Sequence, residues 1–156
     1  MSDEDPLAAA ERAAVAALAR REHSRRELER KLGARGLDAA AVGSALDALG
    51  AAGLQDDGRF AAAYARQRAE RGYGPRRIRL ELRERGIEAT AIEAAFGEVE
   101  RDFATLAREV QRRKFGHVPR SLAERAKQTR FLEYRGFEAA QIRHALEHDV
   151  DDDEDF

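Results

Sequence analysis

The sequence predicts an all-α fold built as three tandem three-helix repeats, about nine helices in an elongated, curved array. Two observations carry that expectation. The triplet Arg35-Gly36-Leu37 recurs as Arg85-Gly86-Ile87 and as Arg135-Gly136-Phe137, at intervals of 50 residues. The same register relates Leu32, Leu82 and Leu132, then Val42, Ile92 and Ile142, then Leu46, Phe96 and Leu146. The composition agrees. Charged residues make up 37% of the chain and aromatics only 6%, which suits several small alanine- and leucine-lined cores better than one large core. The repeats are expected at 7–54, 55–100 and 101–148, between a short acidic N-terminus (1–6) and an acidic tail (149–156). Both ends are too acidic to pack and are expected to be disordered.

In the first repeat, Pro6 suits the first turn of a helix that runs to about Arg21 on Leu7, Ala14, Val15 and Leu18. Ser24 and Glu27 form a capping box for a second helix with Leu28 and Leu32 on one face. That helix stops at Gly36, which takes a left-handed turn without a Cβ penalty, so that Leu37 folds back on Leu32. Asp38 opens a third helix carrying Val42, Leu46 and Leu49, ending near Gly50 or Gly53.

The second repeat opens at Asp56, ahead of a helix through Phe60, Tyr64 and Arg68 that breaks at Gly72-Tyr73-Gly74. Pro75 at the first helical position starts the next helix, with Ile78 and Leu82 inside and Arg76, Arg77, Arg79 and Arg83 largely outside. Gly86 ends it, Ile87 turns back on Leu82, and Ile92, Phe96 and Val99 line a third helix. In the third repeat, a helix around Phe103, Leu106 and Val110 ends in Arg112-Arg113-Lys114. Ser121 and Glu124 form a second capping box, which makes the helix before Gly136 about a turn longer than its counterparts. Gln128 stands where Leu28 and Ile78 stand in the other repeats, and Ile142 and Leu146 line the last helix.

The net charge of −2 conceals a segregation. Nine acids lie in residues 1–10 and 149–156, which leaves 28 basic residues against 21 acidic ones in between. A basic body points to an anionic partner. The clusters with the best claim to such contact are Arg20, Arg21, Arg25 and Arg26, then Arg76, Arg77 and Arg79, then Arg112, Arg113 and Lys114. Arginine at these places can meet carboxylate or phosphate through bidentate contacts. Tyr73, in its glycine-flanked loop, is the aromatic expected to make an exposed contact. Gly36, Gly86, Gly136, Ser24, Glu27 and Pro75 are assigned to the scaffold.

Enzyme chemistry is the least favoured class. There is no cysteine, no Walker loop, no Gly-x-Ser-x-Gly elbow and no carboxylate pair standing apart from the helix-face alternation. His144 and His148 stand i,i+4 on one helix but lack a third partner at metal-ligand spacing, so neither a metal nor a cofactor is expected. No apolar run reaches the length of a membrane span and the N-terminus is acidic, unlike a signal peptide, which reads as a cytoplasmic monomer.

Several ordered motifs carry a resemblance to the RecX family of RecA regulators. They are Arg21-Glu22-His23-Ser24-Arg25-Arg26-Glu27-Leu28, Asp57-Gly58-Arg59-Phe60-Ala61, Gly74-Pro75-Arg76-Arg77-Ile78 with Glu81-Leu82 and Arg85-Gly86-Ile87, and Phe131-Leu132-Glu133-Tyr134-Arg135-Gly136-Phe137. The similarity spans roughly residues 10–148; the acidic tail lies outside it. It implies tandem three-helix repeats that bind RecA, lie in the groove of its filament on single-stranded DNA, and inhibit ATP hydrolysis, filament extension and strand exchange. That would modulate recombination and the SOS response, with single- or double-stranded DNA as a further possible partner. The alternative is a helix-turn-helix-like nucleic-acid-binding protein without a RecA partner. Against it, residues 38–49 contain no base and residues 88–99 only acids, which is unlike a helix lying in a phosphate-lined groove. A helical adaptor with an unrelated partner is a second alternative.

Overall fold

The computed structural model describes residues 4–147, and all nine helices found among them fall into three groups of three. They are α1 (Pro6–Arg20), α2 (Arg25–Ala34), α3 (Ala39–Ala51), α4 (Asp57–Glu70), α5 (Pro75–Glu84), α6 (Ala89–Gly97), α7 (Phe103–Phe115), α8 (Leu122–Tyr134) and α9 (Ala139–Leu146). The expected tail 149–156, and His148, lie outside the described residues. At the other end Glu4 and Asp5 are placed: Glu4 pairs with Arg12, and the Asp5 carbonyl accepts the Ala9 amide (3.0 Å).

Local chemistry sets the helix boundaries. Ser24 Oγ accepts the Glu27 amide (3.1 Å) while Glu27 Oε1 accepts the Ser24 amide (3.0 Å), closing the capping box at α2. Asp38, Asp56, Asp102 and Ser121 each accept the amide three residues on, opening α3, α4, α7 and α8. Asp102 also accepts the Thr105 hydroxyl (2.8 Å), and these bonds hold its carboxyl below its ordinary pKa. The three stops share one geometry. Gly36, Gly86 and Gly136 have φ of 79°, 80° and 95°, and the next amide returns to the carbonyl five residues back: Leu37 to Leu32, Ile87 to Leu82, Phe137 to Leu132. These are paired Schellman bonds, since each glycine amide also bonds three residues back. The longer helix expected before Gly136 is present: α8 has 13 residues where α2 and α5 have 10.

The chain divides into two compact units, Met1–Tyr64 with Leu82–Glu98, and Ala65–Glu81 with Val99–Phe156. The middle three helices therefore contribute to both. In the first unit, Ala10, Ala14 and Ala17 of α1 meet Leu28 and Leu32 of α2 and Val42, Ala45, Leu46 and Leu49 of α3. This corrects half of the expected face of α1: Ala14 is buried and Leu18 packs on the core, but Leu7 and Val15 do not. Leu7 and Val15 are 37% and 46% exposed, because the inward stripe consists of alanines, whose small size lets helices approach closely. Phe60 and Ala61 of α4, Leu82, Ile87 and Ile92 are also buried here. Val99 falls beyond the end of α6 at Gly97 rather than on the helix.

In the second unit, α7 packs chiefly on α9. Leu106, Ala107, Val110, Leu132, Phe137, Ile142, Ala145 and Leu146 form the core with Ala65, Ala69 and Ile78. Gln128 is buried at the position that is apolar in the other repeats, and its Oε1 accepts the Gln111 amide group (2.8 Å). The second proton of that group goes to the His117 carbonyl (2.7 Å). A buried polar pair of this kind persists only because each member is satisfied.

Candidate partner-binding surface

The basic residues singled out in the sequence separate into those consumed by the fold and those left without an acid. Arg25 is consumed. Its amide donates to Asp57 Oδ1 (2.9 Å) and its guanidinium reaches Asp47 (2.6 Å), Glu29 (3.0 Å) and the Gly43 carbonyl (3.3 Å), with the Asp47 bond foremost in raising its pKa. Arg21 forks onto Glu27 at 3.3 Å. Burial works against the charge on Glu27, yet the bonds from Arg21 and from the Ser24 amide prevail and hold its carboxyl below the ordinary range. Arg77 and Arg79, expected to lie largely outside, are half-buried. Arg77 donates to Glu81 (3.3 Å) and to the Tyr134 carbonyl (3.4 Å), and Arg79 to Glu138 (3.1 Å).

Arg20, Arg26, Arg76, Arg113 and Lys114 are exposed and form no ion pair among the described residues. Arg26 lies against Gly86, where a Cβ would meet its Nε at 2.8 Å. Arg112 is half-buried and donates to Gln111.

Tyr73 is not a free aromatic. Three guanidiniums lie over its ring: Arg68 at 3.8 Å, Arg77 at 4.6 Å and Arg135 at 4.8 Å. Arg77 also lies 5.2 Å over Tyr134, and Arg135 5.4 Å over Phe131. Lys114 stands 5.5 Å over that same Phe131 ring, whose edge meets Phe115 at 5.4 Å. A ladder of alternating cations and rings thus joins the opening of α5 to the end of α7 within the second unit. Sequence reasoning missed Arg71 and Arg135, which complete a cleft with Arg113 and Lys114. In sequence Arg135 stands in a helix stop, with no neighbouring base to mark it as part of a cluster.

Two joints hold these surfaces. In the first unit, the turn before α2 docks on the start of α4. Gln55 Nε2 donates to Asp57 Oδ1 (2.8 Å) and to the His23 carbonyl (3.4 Å), and Arg59 Nε to Glu22 (2.7 Å). His23 is buried, with Nδ1 at 3.0 Å from the Arg21 carbonyl and Nε2 without a partner, and burial lowers its pKa. In the second unit, the start of α5 docks on the end of α8. The Gly74 amide donates to the Arg135 carbonyl (2.7 Å) and the Arg76 amide to the Gly136 carbonyl (2.9 Å). A Cβ on Gly136 would stand 2.6 Å from the Arg77 nitrogen, and one on Gly74 would stand 2.5 Å from the Gly136 oxygen.

No cluster of His, Cys, Asp or Glu among the described residues could hold a metal ion. Nor is any helix among them long and apolar enough to cross a membrane.

The family models for the first, second and third three-helix domains of RecX match residues 10–49, 56–95 and 100–146 respectively. The chain is similar to Regulatory protein RecX of Halorhodospira halophila, at 47% identity over 91% of this chain and 89% of the relative. It is also similar to Regulatory protein RecX of Stenotrophomonas maltophilia, at 46% over 89% and 86%. Among solved structures, a crystal structure of regulatory protein RecX aligns with a TM-score of 0.76 at 25% identity, covering 89% of this chain and 72% of that one. RecX from Lactobacillus salivarius shares the fold, with a TM-score of 0.70 at 22% identity over 91% and 95%.

Proposed function

The chain belongs to the RecX family of regulatory proteins, and from that premise we propose that it regulates RecA. In this reading it binds the RecA filament on single-stranded DNA and inhibits ATP hydrolysis, filament extension and strand exchange. It acts as a regulator in the cytoplasm, with no catalysis of its own. The observation that carries the proposal is that, of the basic clusters singled out in the sequence, Arg20, Arg26, Arg76, Arg113 and Lys114 are exposed and have no ion pair among the described residues. Exposed ion pairs on a protein's own surface contribute little. Cations kept without acids are available to a partner's carboxylates or to DNA phosphates.

Contacts spread over three domains act multivalently, so each can be weak while the sum holds. A chain that grips adjacent filament subunits at once would oppose the relative movement that accompanies their ATPase cycle. The helix-turn-helix alternative gains no support from the third helices of the first two repeats; only that of the third repeat, α9, has an arginine, Arg143. The described α3 and α6 carry no basic residue, and a helix that lies in a groove lined by phosphates needs cations.

The test is RecA ATP hydrolysis on single-stranded DNA with the purified chain added. The rate should fall, and the chain should co-sediment with filaments. An unchanged rate at stoichiometric excess, without co-sedimentation, would sink the proposal. Arg76→Ala combined with Arg113→Ser and Lys114→Ser should raise the concentration needed for half-inhibition about tenfold or more at unchanged helicity, the loss of three charge-assisted contacts. Arg77 and Arg25 are unsuitable for this test, because both are built into joints.

A further inference from the structure

One cleft in the second unit gathers positive charge without neutralising it. It lies between the loop after α4, the end of α7 and α8, encloses about 210 Å³, and is lined by Arg71, Arg113, Lys114 and Arg135 beside Val110 and Phe131. No acidic residue lines it, and none of its four cations forms an ion pair among the described residues. Three other arginines of the unit do have acids: Arg68 and Arg77 share Glu81, and Arg79 has Glu138. The cleft cations are also partly fixed. Arg135 donates to the Arg71 carbonyl (3.2 Å), and Arg135 and Lys114 both lie over Phe131. Gly72 lets the loop after α4 pack closely on α7, since a Cβ there would meet Val110 at 3.0 Å. Like charges held around an apolar wall repel one another, and an anion between them relieves that repulsion.

The occupant is indicated by where the described chain ends. The carbonyl of Glu147, its last residue, accepts Arg108 of α7 (3.5 Å). Arg113 and Lys114 follow Arg108 by five and six residues on the same helix, roughly 8–9 Å of axial rise. Nine further residues, 148–156, come after Glu147, and an extended segment of that length spans about 30 Å. Reach is therefore ample. Six of the nine are acidic: Asp149, Asp151, Asp152, Asp153, Glu154 and Asp155.

We propose that the acidic segment 148–156 docks in this cleft, its carboxylates against Arg71, Arg113, Lys114 and Arg135, and so withholds the cleft from other anionic partners. Each contact is exposed and weak on its own. The short tether supplies an effective concentration in the millimolar range, so several weak contacts hold the segment part of the time. A segment docked about two-thirds of the time weakens a competing anion's apparent affinity about threefold. The docking does not depend on the RecA reading and is tested without RecA.

The chain contains no cysteine, so Phe156→Cys accepts a single nitroxide at the far end of the segment. At low salt the label should broaden the amide signals of Gly72, Val110, Phe131 and Arg135 and leave α1 and α2 sharp. Broadening should vanish in about 0.5 M salt, where the screening length is under about 5 Å. It should also vanish when the six acids are replaced by their amides, or with Arg113→Ser and Lys114→Ser together. Signals that stay sharp at low salt, or broadening centred on Arg26 or Arg76, overturn the proposal. In a second arm, amidating the six acids should tighten binding of a fluorescent oligothymidylate about threefold, and the gain should disappear in the Arg113→Ser, Lys114→Ser background. A gain that persists there is general charge repulsion and overturns the docking.

Discussion

The three glycines that end α2, α5 and α8 look equivalent in sequence, and the structure makes them unequal in a way that mutation can read. Gly36 has φ of 79° and open space where a Cβ would go. Gly36→Ala therefore meets only the left-handed backbone penalty, about 1–2 kcal/mol. Gly74 has no positive φ, but its Cβ would stand 2.5 Å from both the Gly136 oxygen and the Phe137 nitrogen. These are backbone atoms at a hydrogen-bonded joint, so Gly74→Ala meets overpacking alone, about 1–3 kcal/mol. Gly136 has both problems, φ of 95° and the Arg77 backbone nitrogen 2.6 Å from its Cβ. Gly136→Ala should therefore cost about 2–5 kcal/mol. Gly86 falls between, because its nearest neighbour is the movable side chain of Arg26. Gly36 and Gly136 stand in different units, so native-state amide exchange is the suitable assay, read at Leu28 for the first unit and Leu132 for the second. If Gly136→Ala costs no more than Gly36→Ala, the close approach of α5 to the end of α8 is refuted.

Two further predictions concern the turn before α2. Ser24→Ala removes a buried cap and should cost about 1–2 kcal/mol in urea unfolding, whereas Ser121→Ala, at an exposed cap, should cost about 0.5 kcal/mol. His23 supplies a pH dependence. Burial lowers its folded pKa below the ordinary 6.5, so between the two values the unfolded chain binds a proton that the folded chain refuses. Stability should be insensitive to this group above about pH 7 and decline as pH falls below about 6.5, by at most about 1.4 kcal/mol per pH unit. His23→Gln should flatten the decline that sets in below about pH 6.5; an equally steep decline in the variant would exclude His23 as its source.

Much of the fold was legible because it is local. A capping box spans four residues and a Schellman stop six, so Ser24, Glu27, Gly36, Gly86 and Gly136 disclose helix boundaries without any tertiary knowledge. On α1 the expected Ala14 and Leu18 do meet the core, but apolar periodicity also favours the larger Leu7 and Val15, while contact geometry selects Ala10 and Ala17. The candidate surface was less legible. Whether an arginine is available to a partner depends on acids far away in the chain, such as Asp47 for Arg25 and Glu138 for Arg79, 22 and 59 residues distant. Arg71 and Arg135 join Arg113 only because Gly74 and Gly136 touch back to back, and no run of residues announces that contact.

The same contacts change what the shared motifs of the chain mean. The stretch Arg21 to Leu28 and the stretch Asp57 to Ala61 are one joint, tied by Arg59 to Glu22 and by Asp57 to the Arg25 amide. Gly74 to Arg77 and Phe131 to Phe137 are another, tied by two backbone hydrogen bonds from Gly74 and Arg76. The most recognisable residues are therefore those that let one helix opening dock on a distant segment. In the proposed function, partner contact falls to the cations beside the joints, which the joints hold in place but do not neutralise. It follows that loss of a joint residue such as Arg25 or Arg77 should reduce function through stability, whereas loss of Arg113 or Lys114 should reduce function at unchanged stability. A stability loss in the Arg113→Ser, Lys114→Ser chain as large as that of Arg77→Ala would erase this division.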